Sequence, residues 1–539
     1  MKKNIKKSLA LLMCLIMLFA IVACNSSNGS TNDDSNTTTT PSDSSTTDNA
    51  TDEGNTNVPV SAKDTLNIAV SGDNGTLVPS KIMGGFVGVV RQYMEPLVDF
   101  TDDGEPIWLL ATDIEEVSTE KWIVHCREGV TFSNGNKFDA NDVWFTLEYY
   151  LKDPTIAFYI NCFDLEKSKI VDDYTIELAL KMYEITQMGS LCQMYILDAE
   201  SFDEDIAAKN PVGTGPYAVT EYVVNSHLYM EANENYWGNT ANIKYLKFRC
   251  LAEASQMVNA IQTGLVDVSV VPNQDISYVE SLDGFDVRSY HTGMSPTIMF
   301  NFAEHSPMSS LEARLAVCYA VNRQSIIDIS YSGTADLLAY PASMHCLDYE
   351  DRFANMHDTY ATGQNLDLAR QYAESSGLVG KELVIITNGA AEYATEAELI
   401  QADLLQIGVN AVINNYDPGS YWTIQGDPSM FDIALYAVAS PQMFASGILL
   451  SYVEWGAAHY AQTWDEYDEY YALCKATVSN PDPVSRSDML YEMSEMFVNI
   501  IPWFGVCDTT TTVAINSDLG GVDFWVNGGM RYFEWYWKS

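Results

Sequence analysis

From Asn25 to about Ala62 the chain runs "NSSNGSTNDDSNTTTTPSDSSTTDNATDEGNTN" and onward with no aromatic residue and almost nothing to bury. Such a stretch cannot offset its own ordering entropy. Residues 24–63 are therefore predicted to be a disordered polar tether, reaching roughly 35 Å by square-root scaling, and any packed core must come from residues 64–539. The segment before the tether is its opposite: Lys2, Lys3, Lys6 and Lys7, then Leu9 to Ala23 with almost no polar atom. This is the layout of a secretory signal, residues 1–23. Its apolar run is too short to span a bilayer well.

Ile21, Val22 and Ala23 before Cys24 resemble the lipobox of bacterial lipoproteins. That resemblance implies a diacylglycerol on Cys24 and cleavage that makes Cys24 the first residue. Two acyl chains, at about 0.8 kcal/mol per buried methylene, hold a protein stably at a membrane surface. The expected location is extracytoplasmic, lipid-anchored to the outer face of the cell membrane.

The whole chain carries a net charge of −45; without the four signal lysines, 24 basic residues face 73 acidic ones, a net −49. Such a field repels phosphate, so nucleic acid is excluded as a partner. Beyond Cys14 and Cys24 there are eight cysteines, none in a CxxC or other metal-type spacing. An even count in an exported chain permits disulfides, but several sit inside apolar periodic runs and read as buried free thiols.

Several segments of the body declare their local structure. "DTLNIAVSG" reads as a buried strand running into a turn. In "EKWIVHCREGVTFSNGNKF", Trp122, Val124 and Cys126 alternate with Ile123, His125 and Arg127, and "SNGN" supplies turn chemistry for a hairpin. "DANDVWFTLEYYL" reads as a helix capped by Asp139, with Val143, Leu147 and Tyr150 on one side. Met257, Ala260 and Ile261 share a helix face that stops at Gly264 before a strand, Val266 to Val271. Ser309 and Glu312 suggest a capping box. "ELVIITNG", "TEAELIQADLLQIG" and "VNAVINNYD" form a strand–helix–strand unit with Ala397, Ile400, Leu404 and Leu405 towards a sheet, and "DIALYAVAS" is a further buried strand. The sum is a multi-domain α/β body.

Catalytic signatures are scarce. Ser118–Lys121 spells SxxK but falls in a polar turn with no second motif. GxSxG, HExxH, Walker and GxGxxG patterns are absent. The seven histidines lie far apart, none with an i+4 partner, so no metal site and no cofactor are expected. "PVGTGPY" is glycine-rich, but Pro216 removes an amide that a phosphate loop would use, so it reads as a rigid turn entering a strand.

The ordered set "YMEPLVDF" (Tyr93–Phe100), "REGVTFSNGNKFDANDVWFTLE" (Arg127–Glu148), "PVGTGPY" (Pro211–Tyr217), "ANENYWG" (Ala232–Gly238), "ASQMVNAIQTGLVDV" (Ala254–Val268), "LEARLAVCYAVNRQSI" (Leu311–Ile326) and "IPWF" (Ile501–Phe504) resembles the family-5 extracellular solute-binding proteins of bacterial ABC importers, the oligopeptide-, dipeptide- and nickel-binding components. The resemblance implies an α/β, two-lobed periplasmic-binding-protein-like (type II, cluster C) fold with an extra inserted domain. Lobe I would take residues 64–105, 211–300 and 501–539, the insertion 106–210, and lobe II 301–500. It further implies a non-enzymatic monomer that captures a small solute, a short peptide first, by hinge closure and hands it to ABC permease subunits. Arg127, Gly135, Asp142, Gly213 and Trp237 are then expected to hold the fold rather than touch ligand.

On the same resemblance, ligand-facing positions fall in the loop after the first strand, with Ser71, Asp73, Asn74 and Thr76, and in Ala439–Phe444, with Ser440, Gln442, Met443 and Phe444; Tyr436, Trp422 and Trp455 add aromatic surface. Peptide-binding members place an aspartate in the second loop against the α-ammonium of the peptide, whereas "YAVASPQMF" has no acid. An unpaired buried ammonium costs several kcal/mol. Either another acid, such as Asp73 or Asp427, takes the role, or the ligand lacks a free amino terminus. Two other readings stay open: a secreted lipoprotein hydrolase of cell-wall or carbohydrate substrates, and the same fold binding a sugar, a metal complex or a signalling peptide.

Overall fold

Period-two alternation and helical periodicity build three main sheets, each with its own hydrophobic core. The computed structural model describes residues 61–82, 87–101, 104–153, 156–439, 444–453, 463–525 and 529–539. The signal, Cys24 and nearly all of the tether lie outside them, as do Ser440, Gln442, Met443 and Trp455.

In chain order, β1 (Thr65–Val70) is followed by β2 (Ala111–Ser118), β3 (Lys121–Cys126), α1 (Ala140–Lys152), β4 (Lys169–Asp172) and β5 (Thr175–Ala179). Next come β6 (Tyr217–Val223), β7 (His227–Ala232), β8 (Tyr245–Cys250), α2 (Ala254–Gln262), β9 (Val268–Val270) and β10 (Phe285–His291). Beyond them lie β11 (Met294–Phe300), α3 (Leu311–Ala320), α4 (Arg323–Ser330), β12 (Asp336–Leu337), β13 (Glu382–Thr387), α5 (Ala391–Leu405) and β14 (Asn410–Asn415). The remainder used below is α6 (Pro418–Gln425), β15 (Ile433–Ala439), α7 (Ala445–Tyr452), β16 (Trp503–Gly505), β17 (Cys507–Asp508) and β18 (Thr510–Asn516).

The first sheet has seven strands in the order β10-β18-β9-β1-β8-β7-β6, and the second five in the order β14-β13-β15-β11-β16. The first has a parallel centre, β8-β1-β9, flanked by antiparallel strands; in the second the parallel trio β14-β13-β15 forms one side, and β11 and β16 continue it antiparallel. A third sheet, β2-β3-β5-β4, is wholly antiparallel. Its alternation is as read: Trp122, Val124 and Cys126 are buried with Val143, Leu147 and Tyr150 of α1, while Ile123, His125 and Arg127 are half-buried. Asp139 caps α1 by accepting from Asn141 N, and Asp142 reciprocates by accepting from Asp139 N at 2.8 Å.

Four local expectations need correction. β3 pairs with β2 and β5, and the segment after "SNGN" contributes only an isolated bridge between Thr131 and Lys137, because Val124 finds its apolar cross-strand partners in Ile114 and Ile176. The cap of α3 is Ser310, not Ser309, whose hydroxyl donates to the Ser306 carbonyl in the preceding turn. Leu405 is 64% exposed at the end of α5, where the helix has rotated past the sheet. β11 and β16 belong to the five-stranded sheet, although residues 211–300 and 501–539 were assigned to the first lobe; the near-continuous burial of both strands places them in that core.

The family motifs are engaged with the fold. Arg127 lies over the Trp237 ring at 4.1 Å and donates to the carbonyls of Leu109 and Trp108. Trp237 and Tyr236 donate to the buried Glu95 carboxylate at 2.8 Å each. A Cβ on Gly213 would overlap the Tyr93 carbonyl oxygen, so the "PVGTGPY" turn needs glycine for close backbone approach. None of the eight cysteines from Cys126 to Cys507 forms a disulfide among the described residues, and all but Cys250 are buried.

Candidate functional site

The first candidate loop leaves the C-terminal end of β1, where open α/β sheets present their ligands. Ser71 is exposed, and Asp73, Asn74 and Thr76 are half-buried. Asp73 is committed to the fold. Its Oδ1 accepts from Gly75 N at 2.6 Å; its Oδ2 accepts from Asn225 N and lies 3.8 Å from the Cys250 thiol that donates to it. Asn225 holds a left-handed φ of 57° in the β6–β7 turn, so Asp73 pins that turn to the loop. Thr76 Oγ1 likewise accepts from Val78 N. Asp73→Ala is expected to lower stability by about 1–2 kcal/mol, since at least two backbone donors lose their acceptor. A urea midpoint equal to wild type would refute this assignment.

The second group sits on the five-stranded sheet. Tyr436 on β15 is 5% exposed and its hydroxyl donates to Met299 Sδ at 3.3 Å, so it is a core residue. Trp422 on α6 packs edge-on against it, ring centroids 6.1 Å apart, and stays half-buried. Of this pair, Trp422 is the more exposed ring. Asp427, the other acid considered for an ammonium, accepts from Ser429 N at 3.0 Å and Ser429 Oγ at 2.7 Å; these bonds hold its carboxyl below the usual range. Phe444 is half-buried and is the N-cap residue of α7.

Sequence reasoning missed the residue that fixes this second loop. Asp348 accepts from Ala445 N at 2.6 Å and Ser446 N at 3.0 Å, clamping the start of α7 immediately after Phe444. Burial pushes its carboxyl up, opposed by those bonds. No local pattern marks Asp348, because its partners lie far along the chain.

The structure thus brings Trp422 and Tyr436 together and ties the Ser71–Leu77 loop to the β6–β7 turn. Two crossing segments connect the sheets that carry them. In Thr292–Met294, Gly293 has φ 68°, and alongside run Asp508–Thr510. Thr292 N donates to Thr509 O and Thr509 N to Met294 O, both at 3.1 Å, and the two threonine hydroxyls are 2.7 Å apart. Elsewhere, a surface cleft of about 650 Å³ on the antiparallel sheet is lined by Asp113, His125, Glu128, Asp172 and Tyr174. It contains no residue of either candidate loop, and we give it no part in the site.

The sequence model of bacterial extracellular solute-binding proteins, family 5 middle, matches residues 105–456. The nickel-binding periplasmic protein of Escherichia coli K12 is 28% identical over 357 residues, covering 62% of this chain and 67% of its own. Di/tripeptide-binding protein 3 of Pseudomonas aeruginosa UCBPP-PA14 is 24% identical over 440 residues, 73% of this chain and 79% of its own. Among solved structures, NikA from Brucella suis in complex with Fe(III)-EDTA superposes with a TM-score of 0.78 at 17% identity, over 88% of this chain and 100% of that one. That likeness shows the fold: the two-lobed α/β architecture of family-5 periplasmic binding proteins.

Proposed function

Because this chain belongs to the family-5 bacterial extracellular solute-binding proteins, we propose that it captures a short peptide between its lobes, releases it unaltered and passes it to ABC permease subunits. On this reading it is a monomer, held at the outer face of the membrane by lipid on Cys24 through the polar tether. Lobe I is built on the seven-stranded sheet, lobe II on the five-stranded sheet, and the antiparallel sheet is the inserted domain within 106–210. The observation that carries the reading is the pair of bonded crossing segments, Thr292–Met294 beside Asp508–Thr510, between two mixed sheets that each contain a parallel trio of strands. Two short connections with a glycine at positive φ supply a hinge. The peptide class draws support from relatives such as the di/tripeptide-binding protein.

The loop "YAVASPQMF" has no acid, Asp73 is bonded through both oxygens, and Asp427 closes its own turn. The peptide is therefore held by its main chain and side chains rather than by a paired α-ammonium. The test is thermal unfolding of the purified protein with tetrapeptides, each in free and N-acetylated form. Saturation at a hundred times Kd is expected to stabilise by about 2.7 kcal/mol, equally for both forms, with the peptide recovered intact. Loss of the shift on acetylation would restore ammonium pairing. No shift with any peptide would end the peptide reading, and consumption of the peptide would end the binding-protein reading.

A further inference from the structure

Beside the crossing segments, three side chains that sequence spacing kept apart come together. His291 ends β10 of the seven-stranded sheet, Asp336 begins β12, and His345 lies in the loop that follows. Their ligand atoms all lie within 4.8 Å of one another. The two imidazole rings stack with centroids 3.6 Å apart at 28°, and His291 Nε2 is 3.7 Å from Asp336 Oδ2. His291 Nδ1 is buried with no hydrogen-bond partner. We propose that His291, Asp336 and His345 form a binding site for a divalent transition-metal ion of the zinc class.

The donor set decides the class. Two imidazoles and one carboxylate suit zinc and its first-row neighbours, whereas calcium and magnesium take oxygen ligands. Ligand bonds of about 2.0–2.2 Å require the donor atoms to draw closer than they now lie. Asp336 and His345 are exposed, which leaves their side chains room to move towards a His291 that is anchored by the pairing of β10 with β18. The loop that carries His345 is also fixed: His345 N donates to Ser343 Oγ, and Ser343 Oγ donates to the buried Asp508. Three protein ligands leave room for water or a further ligand. An ion there would join the end of a first-sheet strand to the opposite side of the crossing.

The test is calorimetric titration of the metal-free purified chain with zinc chloride, no peptide present, alongside His345→Ala and Asp336→Asn. Both changes fall on exposed side chains, so the fold should survive, which circular dichroism checks. Wild type is expected to bind one zinc ion per chain, each variant to lose about tenfold or more in affinity, and X-ray absorption to show two imidazoles on the metal. Absence of zinc binding would overturn the site, as would binding that both variants retain. Because peptide is absent, neither outcome bears on solute capture.

Discussion

Asp508→Ala is expected to destabilise the chain by roughly 3–5 kcal/mol, with the loss centred on the join between the two sheets. Asp508 is 1% exposed on β17. Its Oδ1 accepts from Ser295 Oγ at 2.7 Å, and its Oδ2 accepts from Ser343 Oγ at 2.9 Å and Met344 N at 3.1 Å. One carboxylate thus gathers the start of β11, the Ser343–Met344 loop and the strand leading into the return crossing. Removing it leaves three donors without their acceptor, two of them on buried serines, at about 1–3 kcal/mol for each orphaned group, less than additively. The backbone amide of Met344 cannot rotate to another partner, so it is the least escapable part of the loss. Asp508→Asn keeps an accepting oxygen and should lose less than half as much. Urea unfolding of both variants checks the order; an Asp508→Ala loss below about 1 kcal/mol would mean that these bonds do not hold the join.

The same residue illustrates what could be seen in the sequence. Features set within one turn or one strand were legible: the β3 alternation, the Asp139 cap and the α2 face of Met257, Ala260 and Ile261 all appear as read. The parallel β13–α5–β14 unit was legible because its helix and strands are adjacent in sequence. Features set by long-range partners were not. The pairing of β3 with β5, the clamp of Asp348 on α7 and the triple acceptor Asp508 each depend on contacts that no local window contains.

The candidate site divides in the same way. Tyr436 was placed on a buried strand correctly, but its apolar neighbours on both sides put it in the core, with Trp422 the more accessible ring. Asp73 looked available because aspartate after a strand can face a ligand; one oxygen is taken by Gly75 N in its own loop and the other by a turn far along the chain. Histidine spacing argued against a metal site, since that search finds ligands on one helix or loop. His291 and His345 meet through sheet pairing and a crossing segment, which spacing does not encode.

Glu396→Gln is expected to stabilise the chain by several kcal/mol at pH 9 and by only about 1 kcal/mol at pH 5. Glu396 on α5 is fully buried; the Tyr331 hydroxyl donates to its Oε2 at 3.4 Å and Oε1 has no hydrogen-bond partner. Burial pushes its carboxyl up to about 8; Glu392 adds to the rise, and the Tyr331 bond opposes it. Tyr393 and Cys507 also face this carboxyl. In the unfolded chain the group titrates near an ordinary glutamate value of about 4.3. Between that value and about 8 the folded state holds a proton that the unfolded state has released, so stability falls as pH rises through this window and is flat beyond it. At about 1.4 kcal/mol per unit the limit is on the order of 4–5 kcal/mol. Glutamine keeps the shape without the charge and removes this slope. Glu95 provides the contrast: burial lifts it to about 7, but Trp237 and Tyr236 both donate to it, so an amide there would confront a donor with a donor. Glu95→Gln should therefore destabilise at pH 5, where Glu396→Gln does not. Calorimetric melting of wild type and both variants at pH 5, 7 and 9 decides the matter. A Glu396→Gln difference from wild type that does not grow with pH would show that this carboxyl is not held protonated in the fold.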